Sequence, residues 1–168
     1  MLHKAKIAGL TIDPTSNTPI IILKTEDNDQ AIPIWIGLLE ATSIASALQN
    51  IDFERPMTHD LFKNFSDYLQ IEVTKVEVCD LRDNTFFALI HFINQAHEFT
   101  MDARPSDAIA IALRFRAPIF VDDKVITKSK SGEGDIGDVE ILDQSEEGQK
   151  WAEYLDRLSP EDFGKYKV

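Results

Sequence analysis

The chain has 168 residues, 43% of them hydrophobic and 27% charged, with a formal net charge of −12. This suits one domain, or one domain plus a tail, long enough to bury a core without covalent staples. The single cysteine, Cys79, excludes an internal disulfide and a four-cysteine zinc site, and the acidic balance argues against a broadly basic nucleic-acid-binding surface.

In chain order, "KAKIAGLTID" reads as a strand, "PTSNTP" as a turn, "IIILKT" as a short buried strand and "EDNDQ" as a second turn. "AIPIWIG" is a third strand, in which Pro33 requires an amide position with no partner. The period changes after Leu38. Leu39, Ile44 and Leu48, with Ala41, Ala45 and Ala47, predict a first helix. "NIDFERP" is a loop. "MTHDLFKNFSDYL" is a second helix, with Thr58 as its N-cap and an apolar stripe of Leu61, Phe65 and Leu69.

"IEVTKVEVCDL" alternates, with a slip near Thr74 and Lys75 that predicts a bulge. "RDNT" is a hairpin turn into "FFALIHFI", a strand apolar on both faces, and "NQAH" turns into "EFTMDA". A third helix runs from Pro105 to about Phe115, and "PIFVDD" is a short strand. "TKSKSGEGDIGD" reads as a mobile loop or linker. The remainder carries helical patterns around Trp151, Leu155 and Leu158 and after Ser159. The order βββ-α-α-βββ-α-β predicts an α+β fold, with a mixed, mainly antiparallel sheet and three helices packed on it. Residues 1–130 form the domain, and residues 131–168 an acidic linker and helical tail.

The N-terminal stretch shows no apolar signal core, and no apolar run reaches the roughly 18 residues of a membrane span, so a cytoplasmic place is expected. The acidic excess lies mostly in the tail: residues 132–168 hold eleven acids against four Lys/Arg, whereas residues 101–131 hold six Lys/Arg against four acids. A polyanionic partner stays open for the second window.

Two helix starts share a chemistry, "RPMTHD" at 55–60 and "RPSD" at 104–107. Proline suits the first helical position, and hydroxyl and carboxylate side chains satisfy first-turn amides. Capping does not explain Arg55 or Arg104. A guanidinium beside a positive helix end needs a carboxylate such as Asp60, Asp102 or Asp107, or an anionic ligand; the balance favours an ion pair for Arg104. Glu40, His59, Asp60, Asp102 and Asp107 match no local metal motif, so only the fold can bring them together. His91 reads as a strand histidine at a sheet surface, His97-Glu98 as a solvated turn and Cys79 as packing. Glycine-rich phosphate loops, the G-x-S-x-G elbow and H-E-x-x-H are all missing from the sequence.

"AIPIWIGLLEA", "RPMTHDLF", "VEVCDLRDNTFFALIHF" and "DARPSDAIAIALRFRAPIFV" together resemble, in order and spacing, the bifunctional nuclease (DNase-RNase) domain family over residues 3–130. The resemblance implies an α+β homodimer and cleavage of DNA and RNA phosphodiester bonds, the activity described for plant members. Within the matched blocks, Glu40, His59, Asp60 and Asp107 are the candidate catalytic residues, with His59 as general base or acid. Arg55, Arg104, Ser106 and Thr58, with helix N-terminal amides, are candidates for holding phosphate. Asp60, Asp102 and Asp107, with Glu40, are candidates for Mg²⁺ or Mn²⁺; no organic cofactor is expected. The competing reading is a non-enzymatic dimeric module for a small anion or a protein.

Overall fold

The computed structural model describes residues 1–95 and 97–130. In chain order the elements are β1 (Leu2–Asp13), β2 (Thr18–Thr25), β3 (Ala31–Trp35), α1 (Leu38–Leu48), α2 (Thr58–Tyr68), β4 (Ile71–Arg82), β5 (Thr85–Asn94), β6 (His97–Ala103), α3 (Pro105–Phe115), β7 (Ile119–Asp122) and α4 (Asp123–Lys130). The architecture is α+β, as the order of strand and helix patterns predicts.

One seven-stranded sheet has the order β3-β2-β1-β7-β4-β5-β6. It consists of two antiparallel three-strand meanders joined through β7, which pairs antiparallel with β1 and parallel with β4. Local sequence explains the turns. Asp83 and Asn84 both adopt positive φ (48° and 57°) between the paired Arg82 and Thr85, the two-residue hairpin that Asp and Asn tolerate. The slip near Thr74 is a register shift between Val73 and Lys75; a second falls between Val78 and Asp80. Pro33 lies on the edge strand β3, where a missing amide costs no ladder.

The core runs continuously from both meanders to the helices. Ile21, Leu23, Ile32, Val76, Val78 and Val121 from the sheet meet Ile44 of α1 and Ile109 of α3, all fully buried. Each such aliphatic side chain contributes roughly 1.5–3 kcal/mol relative to exposure. α3 is the central helix. Its residues Ala108 to Ala112 are all buried, and the alternating alanines let α1, α2 and β4 approach it closely. Its C-terminus closes on Arg116 in the left-handed conformation (φ 54°).

Three local expectations are corrected. The stripe Leu61, Phe65 and Leu69 faces outward, and α2 instead turns Phe62 and Ser66 inward. Phe62 packs on Phe92 and Phe115, with ring centroids 6.2 and 6.5 Å apart. A short helix with apolar residues on two sides presents two possible core rows, and α3 selects the row with the aromatic partner. On α1, Leu39 and Leu48 are likewise exposed, while Ala41, Ile44 and Ala45 are buried, because close approach to α3 requires small side chains. Finally, Thr127–Lys130, expected in a loop, belong to α4, which buries Val125 and Ile126. The rest of that loop and the helical tail lie outside the described residues. No helix among the described residues is long and apolar enough to cross a membrane.

Candidate functional site

The two helix starts differ in register but converge in space. α3 opens with Arg104 as N-cap and Pro105 in its first turn, as expected. α2 opens one residue earlier than a Thr58 N-cap would place it: Met57 is the N-cap, Thr58 the first helical residue, and Pro56 precedes both. In each helix the aspartate nevertheless falls at the third helical position. The Asp60 carboxylate accepts the Met57 amide at 3.0 Å. It also accepts Arg114 Nε at 2.5 Å. Arg114 continues to the carbonyls of Ala110 and Ser43 at 3.0 and 3.3 Å, so its buried guanidinium ties α1, α2 and α3 together. Asp60 is thereby committed to architecture.

The second aspartate joins two of the candidate residues. Asp107 Oδ1 lies 3.1 Å from His59 Nε2 and 3.2 Å from Arg104 Nη2, and its Oδ2 lies 2.7 Å from Arg104 Nε. Burial raises the Asp107 pKa, but hydrogen bonds and charge from Arg104 and His59 outweigh it and hold the carboxyl below its ordinary value. Asp107 is therefore an acceptor at neutral pH. In the neutral ring this places the histidine hydrogen on Nε2 and leaves Nδ1 as an acceptor. The Ser43 hydroxyl lies 2.8 Å from Nδ1, so in this tautomer it is the donor of that hydrogen bond. On the other side, Arg104 Nη1 reaches Glu40 Oε1 at 2.9 Å. The chain of contacts runs Ser43–His59–Asp107–Arg104–Glu40, across α1, α2 and α3.

These five residues line a cleft of about 420 Å³, together with Leu39, Thr42, Ser46, Phe53, Met57, Thr58 and Arg114. A neighbouring hollow of about 250 Å³ shares Glu40 and Arg104, and is lined by Trp35, Gly37 and Ser106. A Cβ at Gly37 would overlap Glu40 Oε2, so a larger residue there would displace the Glu40 carboxylate.

Of the residues expected from sequence, Glu40, Thr58, His59, Arg104 and Asp107 therefore share one cleft. Ser106 is buried and opens on the neighbouring hollow. Arg55 is exposed in the preceding loop and does not line the cleft. Asp102 is not part of the cluster. Its rung pairs with Leu89, and Leu89 with Glu77, while the adjacent rung of Val76, Ile90 and Met101 places Val76 and Ile90 in the core beneath α3. Asp102 thus projects from the opposite face of the sheet. There His91 meets Glu77 at 3.2 Å, as a surface strand histidine would.

The set Asp60, Asp102 and Asp107 is consequently not brought together. Among the described residues no group of three or more His, Cys, Asp and Glu side chains is arranged to hold a metal ion. Glu40 and Asp107 are both held by the Arg104 guanidinium, which occupies the position a cation would need. This donor set does not fit Mg²⁺ or Mn²⁺ as arranged.

Two site residues escaped the sequence reading. Ser43 stands three residues after Glu40 on α1, and Arg114 seven after Asp107 on α3. Both spacings keep a side chain on the same helical face, which is the signal that finds them.

A family model for the bifunctional nuclease domain matches residues 21–133. An uncharacterized protein of Mycobacterium tuberculosis (strain H37Rv) is 34% identical over 164 residues, covering 96% of this chain and 98% of its own length. Bifunctional nuclease 1 of Arabidopsis thaliana is 32% identical over 108 residues, covering 62% of this chain and 33% of its own. Bifunctional nuclease 1 of Oryza sativa subsp. japonica is 28% identical over 109 residues, with the same shares. The chain thus spans about a third of these plant relatives. It matches the family model through the segments that carry Glu40, His59 and Asp107, and it belongs to the bifunctional nuclease domain family.

Proposed function

We propose that the chain hydrolyses phosphodiester bonds of DNA and RNA in the cleft between α1, α2 and α3. The observation that carries this reading is the His59–Asp107 pair: a carboxylate fixes one ring nitrogen and leaves the other free to take a proton beside an open cleft. His59 removes the proton from the attacking hydroxyl and returns it to the departing oxygen. Asp107 orients the ring and stabilises the imidazolium that forms. Arg104, with one edge toward Glu40 and another toward Asp107, is positioned to exchange a carboxylate for a phosphate oxygen as negative charge grows on it. The Thr58 hydroxyl, at the first turn of α2 on the cleft wall, is a further phosphate donor. No step is assigned to a metal ion.

The chain acts as a homodimer in this reading. Leu61, Phe65, Tyr68 and Leu69 form an exposed apolar row on α2 at helical spacing. Such a row is costly to leave in water and suits a self-complementary interface.

The activity is tested with purified protein on single- and double-stranded DNA and on RNA, with and without a chelator. Hydrolysis that persists with chelator supports the reading. Failure on every substrate under both conditions contradicts it. The non-enzymatic alternative has one observation in its favour, that both cleft carboxylates already neutralise Arg104. It predicts phosphate-ester binding without turnover.

A further inference from the structure

We infer that Ser43 is a nucleophile, and that the site works through a covalent phosphoserine diester on α1. This deepens the proposed hydrolase reading, because it names the attacking hydroxyl of the first step.

Three observations carry it. First, Ser43 does not use its hydroxyl as its helical neighbours do. Hydroxyl side chains inside helices ordinarily return a hydrogen bond to a carbonyl three or four residues back. Thr42 Oγ1 does so to Leu38 O at 2.8 Å, and Ser46 Oγ to Ser43 O at 3.0 Å. Ser43 Oγ instead meets His59 Nδ1 at 2.8 Å. Second, the polarity is fixed from the far end. The Asp107 carboxylate can only accept, so in the neutral ring His59 Nε2 donates and Nδ1 accepts, which makes Ser43 the donor and its oxygen the activated atom. Third, all three side chains open on the same cleft, next to Arg104. A hydroxyl, a base and an orienting acid in sequence make up the serine-histidine-aspartate constellation, which is recognised by geometry and roles rather than by chain order. Here the ring is reversed, with Nδ1 toward the serine and Nε2 toward the acid.

The chemistry balances in two displacements. Ser43 Oγ forms a bond to phosphorus as its proton passes to His59 Nδ1. The bond from phosphorus to the leaving oxygen breaks, and that oxygen takes the proton from His59. Water then attacks the phosphoserine and gives its proton to His59. The Oγ–phosphorus bond breaks, and Ser43 recovers its proton. No oxidant, reductant or further group is consumed.

The test uses an alkyl fluorophosphonate on the full chain. Attack by Ser43 forms an Oγ–phosphorus bond and expels fluoride, which leaves a mass increment that peptide mapping locates. The expected result is stoichiometric labelling at Ser43, none at that position in Ser43→Ala, and labelling at least about 10²-fold slower in His59→Ala. Ser43→Cys retains the side-chain size and gives a second readout. Its thiol should react with iodoacetamide faster than Cys79, whose thiol burial pushes up, and lose that advantage when His59→Ala is added. A folded protein that leaves Ser43 unlabelled, or labels it at the same rate without His59, overturns the inference. The two readings fail separately. Labelled Ser43 in a protein that cuts neither DNA nor RNA keeps the nucleophile and removes the substrate assignment. Nucleic-acid hydrolysis at the wild-type rate in Ser43→Ala, with Ser43 unlabelled in the wild type, removes the nucleophile and keeps the nuclease.

Discussion

His59 and Asp107, 48 residues apart in sequence, meet at 3.1 Å where the second and third helices begin. The contact sets the ring's tautomer, and with it the direction in which a proton moves through the cleft. Asp107→Asn leaves the shape but supplies an amide that can donate to His59 Nε2, which favours the opposite tautomer. The expected outcome is a loss of kcat of about 10²-fold or more on nucleic-acid substrates, with KM changed far less. Circular dichroism should report an unchanged fold.

Glu40 restrains Arg104 from the other side. Glu40→Gln removes one negative charge facing that guanidinium and leaves Asp107 in place. Binding of a short single-stranded oligonucleotide should tighten. The slope of log K against log salt should steepen by about 0.7, the value for one further phosphate neutralised on a single strand. Anisotropy titrations across a salt series measure both; an unchanged slope places Arg104 outside the phosphate path.

A pH effect on stability is expected far from the cleft. The His3 side chain is only 10% exposed, and it bridges Asp27 and Asp123. Hydrogen bonds donated by the His3 ring to Asp27 and then to Asp123 raise the His3 pKa above 6.5, while both carboxyls fall below 3.8. The histidine's contribution is fully present below its unfolded pKa and is lost as pH rises through the raised folded one. The carboxylates' contribution is present above 3.8 and is lost as pH falls through their lowered values. The clamp is therefore complete between about pH 4 and 6.5. The Met1 ammonium, 3.0 Å from Asp123, stays charged across that window. Thermal melts should show wild type exceeding His3→Gln most in this window, with the gap narrowing as pH rises above it. Parallel curves would contradict the assignment.

The apolar row on α2 predicts assembly. Phe65→Glu should convert a dimer to a monomer in light scattering, while Asn64→Glu, one residue away, should leave the mass unchanged. Equal masses for all three proteins remove α2 from the interface.

Much of the fold was legible in the sequence because strand alternation and turn chemistry are local. Asp83-Asn84 and the slip at Thr74 needed no tertiary information. The helices were legible in extent but not in facing. Leu61 and Phe62 are both apolar, and only the aromatic pocket made by Phe92 and Phe115 decides between them. The site was partly legible for the same reason. Arg104, Asp107 and His59 stand at helix starts, which the sequence marks. Asp102, however, stands on β6 in the rung of Leu89 and Glu77, one residue out of step with the rung of Val76 and Ile90 that packs beneath α3, so alternation sends its side chain to the opposite face. Ser43 lay hidden among small residues that read as packing, since a hydroxyl gains chemical meaning only from the histidine it meets.

Whether His59 moves the proton in phosphodiester hydrolysis is decided by single-turnover cleavage of one DNA and one RNA oligonucleotide. Wild type and His59→Ala are purified side by side and compared at equal folded concentration. The variant should cleave both substrates about 10²- to 10⁴-fold more slowly. Equal rates would show that the hydrolysis does not pass through this histidine.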